Sequence, residues 1–194
     1  MMIRLMTLLL MTTLLSACAS QPSNVHDICA IYDEKGGWFN NWYRYGKKVE
    51  KEFGVPPHVT MATIWKESTF QARVKPPRKK YLGFIPGPRP SDAYGYPQAL
   101  KSTWRWYRNE TGRSGAKRQK FKDAIHFVGW YHDQSHRKNR VAKTDAYNLY
   151  LNYYLGHGGF ARGAAAGNAH AREAARRVAA QADKYRAQLA RCRG

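Results

Sequence analysis

Apolar positions along this chain recur at helical spacing. Trp38, Trp42, Tyr45, Val49 and Phe53 fall every three to four residues and predict one helix with an apolar face, which Gly54 ends. Pro56-Pro57 opens a second helix that runs through Val59, Ile64 and Trp65 to Glu67. Leu100, Trp104 and Tyr107 share a face within residues 97–111, and Ile125, Val128 and Tyr131 share one in the run that begins at Lys120. A further helical run over 144–155 carries Tyr147, Leu149, Tyr150, Leu151 and Tyr154 and stops at Gly156-His157-Gly158-Gly159. In the alanine-rich basic tail, Val178, Ala182, Tyr185, Leu189 and Cys192 alternate in steps of four and three, so one face docks and presents Cys192 to the body. The proline-dense stretch 73–92 interrupts the helices; its composition excludes a helix and most sheet pairing, and so long a loop points to function. No strand alternation of any length, tandem repeat or phosphate-cradling glycine loop occurs, and the pattern predicts an all-α domain.

The opening residues change where that domain is expected to work. Arg4, an apolar run from Leu5 to Leu15 and then Leu15-Ser16-Ala17-Cys18 have the make-up of a secretory signal, too short to span a bilayer permanently. Leu-Ser-Ala-Cys resembles the lipobox of bacterial lipoproteins, which implies a signal peptide over 1–17, lipidation of Cys18 and a tether over 18–27 before a single domain over 28–194. Ala19 after that cysteine implies an outer-membrane lipoprotein facing the periplasm, with the lipid anchor as its membrane contact. Two further cysteines, Cys29 and Cys192, form an even pair in an oxidising compartment, and a disulfide joining the two ends of the domain is the simplest expectation.

A formal net charge of +20 ordinarily suggests nucleic acid or an anionic surface. Export makes nucleic acid an unsuitable partner and favours anionic envelope polymers, peptidoglycan among them. His126, His132, His136, His157 and His170 include an i, i+4 pair in His132 and His136, yet no glutamate pattern joins them and no cysteine is free to help. They read as surface or groove histidines, and neither a metal nor another cofactor is expected.

Glu67 is the strongest candidate for chemistry. A carboxylate at the end of a helix lined by Ile64 and Trp65 loses water, which disfavours its charged form and raises its pKa toward the range of a general acid. Cleavage of a glycosidic bond uses such a group, usually with a second carboxylate. No acidic residue forms a close sequence pair with Glu67, although folding could bring Asp92 or Asp133 near it.

Three ordered segments sharpen this picture: Glu67-Ser68-Thr69-Phe70, then Ala93-Tyr94-Gly95-Tyr96-Pro97-Gln98, then Tyr153-Tyr154-Leu155-Gly156-His157-Gly158. Together they resemble the motifs of the soluble lytic transglycosylase (SLT) domain, over about residues 54–163. The long loop, residues 133–137 and residues 145–148 are similar to a proteobacterial lipoprotein branch of that family. The resemblance implies a lysozyme-like helical fold, with a long proline-rich loop and a docked C-terminal helix, acting on peptidoglycan glycan strands. It makes Glu67 the single acid/base that cleaves the bond between N-acetylmuramic acid and N-acetylglucosamine and leaves a 1,6-anhydro end. It also implies that Ser68 and Gln98 support the acid and line the sugar groove, and that the Tyr153 hydroxyl orients Glu67. Tyr94 and Tyr96 are the candidate exposed sugar-binding rings. Where the family has Leu-Met this chain has Tyr96-Pro97, and Tyr154-Leu155 replaces a polar or small pair. A hydrolytic muramidase and a non-catalytic peptidoglycan-binding lipoprotein are the alternatives.

Overall fold

The computed structural model describes residues 20–192; the signal peptide expected over 1–17 and the lipidation expected at Cys18 lie outside the described residues. Among the described residues seven helices follow one another: α1 (Ile28–Glu34), α2 (Trp42–Phe53), α3 (Pro57–Ser68), α4 (Lys101–Thr111), α5 (Phe121–Asn139), α6 (Ala146–Ala161) and α7 (Ala169–Cys192). The proline-dense loop holds two short antiparallel strands, β1 (Lys80–Tyr81) and β2 (Ile85–Pro86). The fold is therefore all-α apart from that hairpin, whose pairing the proline content had argued against.

Local chemistry sets the helix ends. Asp27 caps α1 by accepting from the Cys29 and Ala30 amides, Asn41 caps α2 through the Arg44 amide, and Asp145 caps α6 through the Asn148 amide. Pro57 starts α3 at the position where a missing N–H costs nothing. Because Asn41 begins α2, the apolar stripe is one step shorter than its spacing suggests: Trp38 and Phe39 precede the helix and stand 83% and 92% exposed. Gly156 breaks the backbone of α6 at φ 72°, as its place in the sequence indicates, but one more helical turn continues to Ala161.

The core is aromatic around Trp42. This ring stacks on Phe121 with centroids 3.5 Å apart and meets Phe70 and Tyr96 at 5.8 and 5.9 Å. Phe70 directly follows the Glu67 segment and Tyr96 directly precedes Pro97-Gln98, so one buried cage fixes both stretches of chain. α5 runs against α2 at very short range, because a Cβ on Gly129 would lie 2.2 Å from Val49 Cγ1.

Helix α7 closes the body from behind. Its buried face of Ala171, Ala174, Ala175, Val178, Ala182 and Tyr185 packs on α3 and α6, the small side chains allowing close approach. A disulfide joins Cys29 on α1 to Cys192 at the end of α7. The described part of the tether, residues 20–27, lies on the body: Gln21 Nε2 donates to the Thr69 carbonyl at 2.8 Å, and Tyr185 donates to the Val25 carbonyl. None of the described helices is long and apolar enough to cross a membrane.

Candidate active site

Glu67 lies in the last turn of α3, at a groove of about 1010 Å³ bounded by the proline-rich loop, the 93–100 segment and α6. The chain turns sharply just beyond it: Thr69 and Phe70 hold positive φ of 50° and 59°, and Gln98 across the groove has φ 45°. Non-glycine residues adopt such angles only when their surroundings enforce them, and here the Trp42 cage does so by holding Phe70 and Tyr96.

The carboxyl of Glu67 accepts a hydrogen bond of 2.8 Å from the Tyr150 hydroxyl. Burial pushes its pKa up to about 7, while the Tyr150 bond and the positive charge of Lys66 pull in the opposite direction. At neutral pH the group is close to half protonated, so the same side chain can release a proton and take one back. Burial and the neighbouring carboxyl raise Tyr150 far above the ordinary phenol range, so it stays a donor.

No second carboxylate lines this groove among the described residues. Asp133 is buried in ion pairs with Arg137 and Lys143, both at 2.7 Å. Asp92 accepts from the Lys101 amide at 3.0 Å, at the start of α4. Neither supplies a partner acid.

The other residues singled out in the sequence divide between groove and core. Gln98 lines the groove, and its Nε2 donates to the carbonyls of Val74 at 3.0 Å and Gly95 at 2.9 Å, which spends both amide protons on the loop. Tyr153 also borders the groove, but its hydroxyl donates to the Pro97 carbonyl at 2.5 Å; Tyr150, one turn earlier on α6, is the residue bonded to Glu67. Ser68 is buried, with its hydroxyl turned back to the Ile64 carbonyl at 3.3 Å, and does not reach the groove. Tyr96 is not an exposed ring: it is buried against Trp42 and Phe121, and burial pushes its pKa up to about 12. Tyr94 is half-buried under Lys75 and Arg118 in an adjoining hollow rather than beside Glu67. Tyr154 and Leu155 form part of the groove wall, with the Tyr154 ring 6.0 Å from that of His170.

Two of the histidines are not surface groups. His132 is fully buried, with Nε2 2.9 Å from Thr63 Oγ1, and the Thr63 hydroxyl donates to the Val59 carbonyl, so His132 Nε2 is the donor. His126 is buried between the Tyr107 hydroxyl and Glu52. His136 lies at the surface with Nδ1 2.9 Å from the Val141 carbonyl, so it cannot share a ligand with His132. Among the described residues, no group of three His, Cys, Asp or Glu side chains is placed to hold a metal ion.

The arrangement is a half-buried carboxyl with a raised pKa, bonded by a tyrosine, at a groove that an amide also lines. A comparison with curated proteins gave no match. The model of the transglycosylase SLT domain matches residues 6–192, and the chain belongs to that family of lysozyme-like lytic transglycosylases acting on peptidoglycan.

Proposed function

We propose that this protein cleaves the β-1,4 bond between N-acetylmuramic acid and N-acetylglucosamine by a one-acid, non-hydrolytic route, as a carbon–oxygen lyase. The observation that carries this reading is that Glu67, with a pKa near 7, is the sole carboxylate on the groove among the described residues. In the first step protonated Glu67 gives its proton to the glycosidic oxygen, and the muramyl C1–O bond breaks. The developing oxocarbenium centre is stabilised by the substrate's own N-acetyl carbonyl, a recognised substitute for a second carboxylate. In the second step the muramyl C6 hydroxyl bonds to C1 and its proton returns to Glu67, giving a 1,6-anhydro end without consuming water. Tyr150 keeps the Glu67 carboxyl aimed throughout, and Gln98 braces the opposite wall.

Digestion of purified sacculi followed by mass spectrometry of the fragments tests this. Anhydro ends support the reaction, reducing ends would identify a muramidase, and no release would identify a binding protein. Glu67→Gln should abolish anhydro product, and unchanged product from that variant would exclude Glu67 as the acid.

The proposal extends to location. The lipobox-like sequence at Cys18 supports a lipid anchor in the outer membrane, with the groove in the periplasm, and the disulfide suits an oxidising compartment. Metabolic labelling with palmitate, lost on Cys18→Ser, and membrane fractionation test it.

A further inference from the structure

Next to the Glu67 groove is a smaller hollow of about 380 Å³, and Lys75, Ser91 and Ala93 border both. Four cations stand around it, Lys75, Arg89, Lys101 and Arg118, with a single carboxylate, Asp92. Asp92 offsets only part of this charge: it acts on Arg118 through space, its Oδ1 accepts from the Lys101 backbone amide, and the side-chain ion pairs of the described residues all lie elsewhere. Lys75 and Arg118 both approach the Tyr94 ring, at 5.7 and 5.2 Å from its centroid, so this ring is a shared contact of two cations. Arg118 is fixed there by donation from Nη1 to the carbonyls of Asp92 at 3.0 Å and Ala99 at 2.6 Å. Lys75, Arg89 and Lys101 are exposed and Arg118 is half-buried, so the hollow keeps an excess of positive charge over the single Asp92 and favours an incoming anion.

This inference rests on the proposed reading of the neighbouring groove as a glycan site. The sugars of a strand whose muramyl lactyl groups are amide-linked to peptide are uncharged and give these cations nothing to bind. The peptide stems attached to alternate sugars do carry free carboxylates, and a stem leaving the Glu67 groove past Lys75 meets the hollow at once. We propose that the hollow binds a carboxylate of a peptide stem borne by the glycan strand in the Glu67 groove. The protein then favours strands whose stems carry free carboxylates, with Lys75, Arg89, Lys101 and Arg118 as the recognising charges and Tyr94 as their platform.

Binding is the readout, which separates this test from bond cleavage. Full-length protein carrying Glu67→Gln, held in detergent, is titrated with three kinds of glycan strand: strands with free-carboxylate stems, strands with amidated stems, and strands stripped of peptide by an amidase whose freed lactyl carboxylates are then capped as amides. The free-carboxylate strands should bind about tenfold tighter than the other two, as expected of charge-assisted hydrogen bonds, and salt should erase the difference. Adding Arg89→Gln and Lys101→Glu, both at exposed positions outside the groove, should make all three strands bind alike, whereas Arg89→Lys with Lys101→Arg should keep the preference. Equal binding of the three strands by the Glu67→Gln protein, or a preference that survives the charge-removing pair, would overturn the proposal. Amidated stems bound as tightly as free ones would also overturn it. Failure of the proposed reaction shows instead as missing anhydro ends in the sacculus digestion.

Discussion

Tyr150 on α6 donates to Glu67 on α3, while Tyr153, one turn further along α6, donates to the Pro97 carbonyl. The two phenols lie on the same side of one helix, yet one serves the acid and the other braces the groove wall. The charged form of Glu67 gains from the Tyr150 bond, so its loss raises the acid's pKa further. Tyr150→Phe should therefore lower kcat by about 10- to 100-fold and move the alkaline limb of the pH–rate profile upward. Tyr153→Phe should leave that limb in place and cost about 1 kcal/mol of stability through the unpaired Pro97 carbonyl. Turnover of sacculi against pH for the two variants checks the assignment.

A raised carboxyl pKa also affects folding. Glu67 has a pKa of about 7 in the folded protein against 4.5 for a free side chain, so the folded state holds this proton more tightly. The resulting stabilisation is full below the unfolded value, is lost as pH climbs to 7 and is absent above it, about 3 kcal/mol in all. Glu67→Gln does not titrate. It should be more stable than the parent protein at pH 8 by up to that amount and indistinguishable at pH 4, as read by urea denaturation at each pH.

His132 works in the opposite sense. Burial, with a smaller contribution from His157, lowers its pKa from 6.5 to about 3. The stability that follows from keeping it neutral is full above 6.5 and falls away as pH drops toward 3. Between pH 7 and pH 5 this one ring should account for about 2 kcal/mol of lost stability. His132→Gln can still donate to Thr63 and does not titrate, so its melting temperature should fall less steeply over that interval.

Gly129 is required by its neighbour. An added methyl would enter Val49 at 2.2 Å, and neither α2 nor α5 can withdraw without disturbing the Trp42 cage between them. Gly129→Ala should destabilise the fold by about 1–3 kcal/mol. Adding Val49→Ala should restore part of the loss, a non-additive result that a thermal melt of the double variant detects.

Much of this molecule is legible from spacing, and the exceptions have physical reasons. The docking face of α7 follows from its four-and-three steps, because a helix packed on one side must repeat at that interval. Glu67 is marked by the apolar run before it and the Ser-Thr-Phe after it. Trp38 matches the periodicity of α2 but lies outside it, since the Asn41 cap starts the helix later; the Asn41 to Arg44 spacing is the signal that locates that start. Tyr96 is drawn inward by a turn with φ 75° at Gly95, where a Cβ would strike the Arg118 carbonyl at 2.4 Å. Its partner Trp42 is more than fifty residues away, and no local pattern reveals that meeting. Tyr150 and Tyr153 are three residues apart on one face, so which of them reaches Glu67 depends on how α6 settles against α5 and α7. Ser68 turns inward because it stands one turn after Ile64 on the buried face of α3, where its hydroxyl donates back to the Ile64 carbonyl.

The Cys29–Cys192 bridge also decides how the molecule carries tension. A pull on the chain ahead of α1, opposed by a polymer gripped in the groove, divides at Cys29 into two covalent routes. One follows the backbone through α2 to α3, and the other crosses the bridge and returns along α7 to α6. Peeling α1 away from α7 cannot begin while both routes hold, so the load reaches the two walls of the groove together, as shear on packed helices rather than as unzipping from one end.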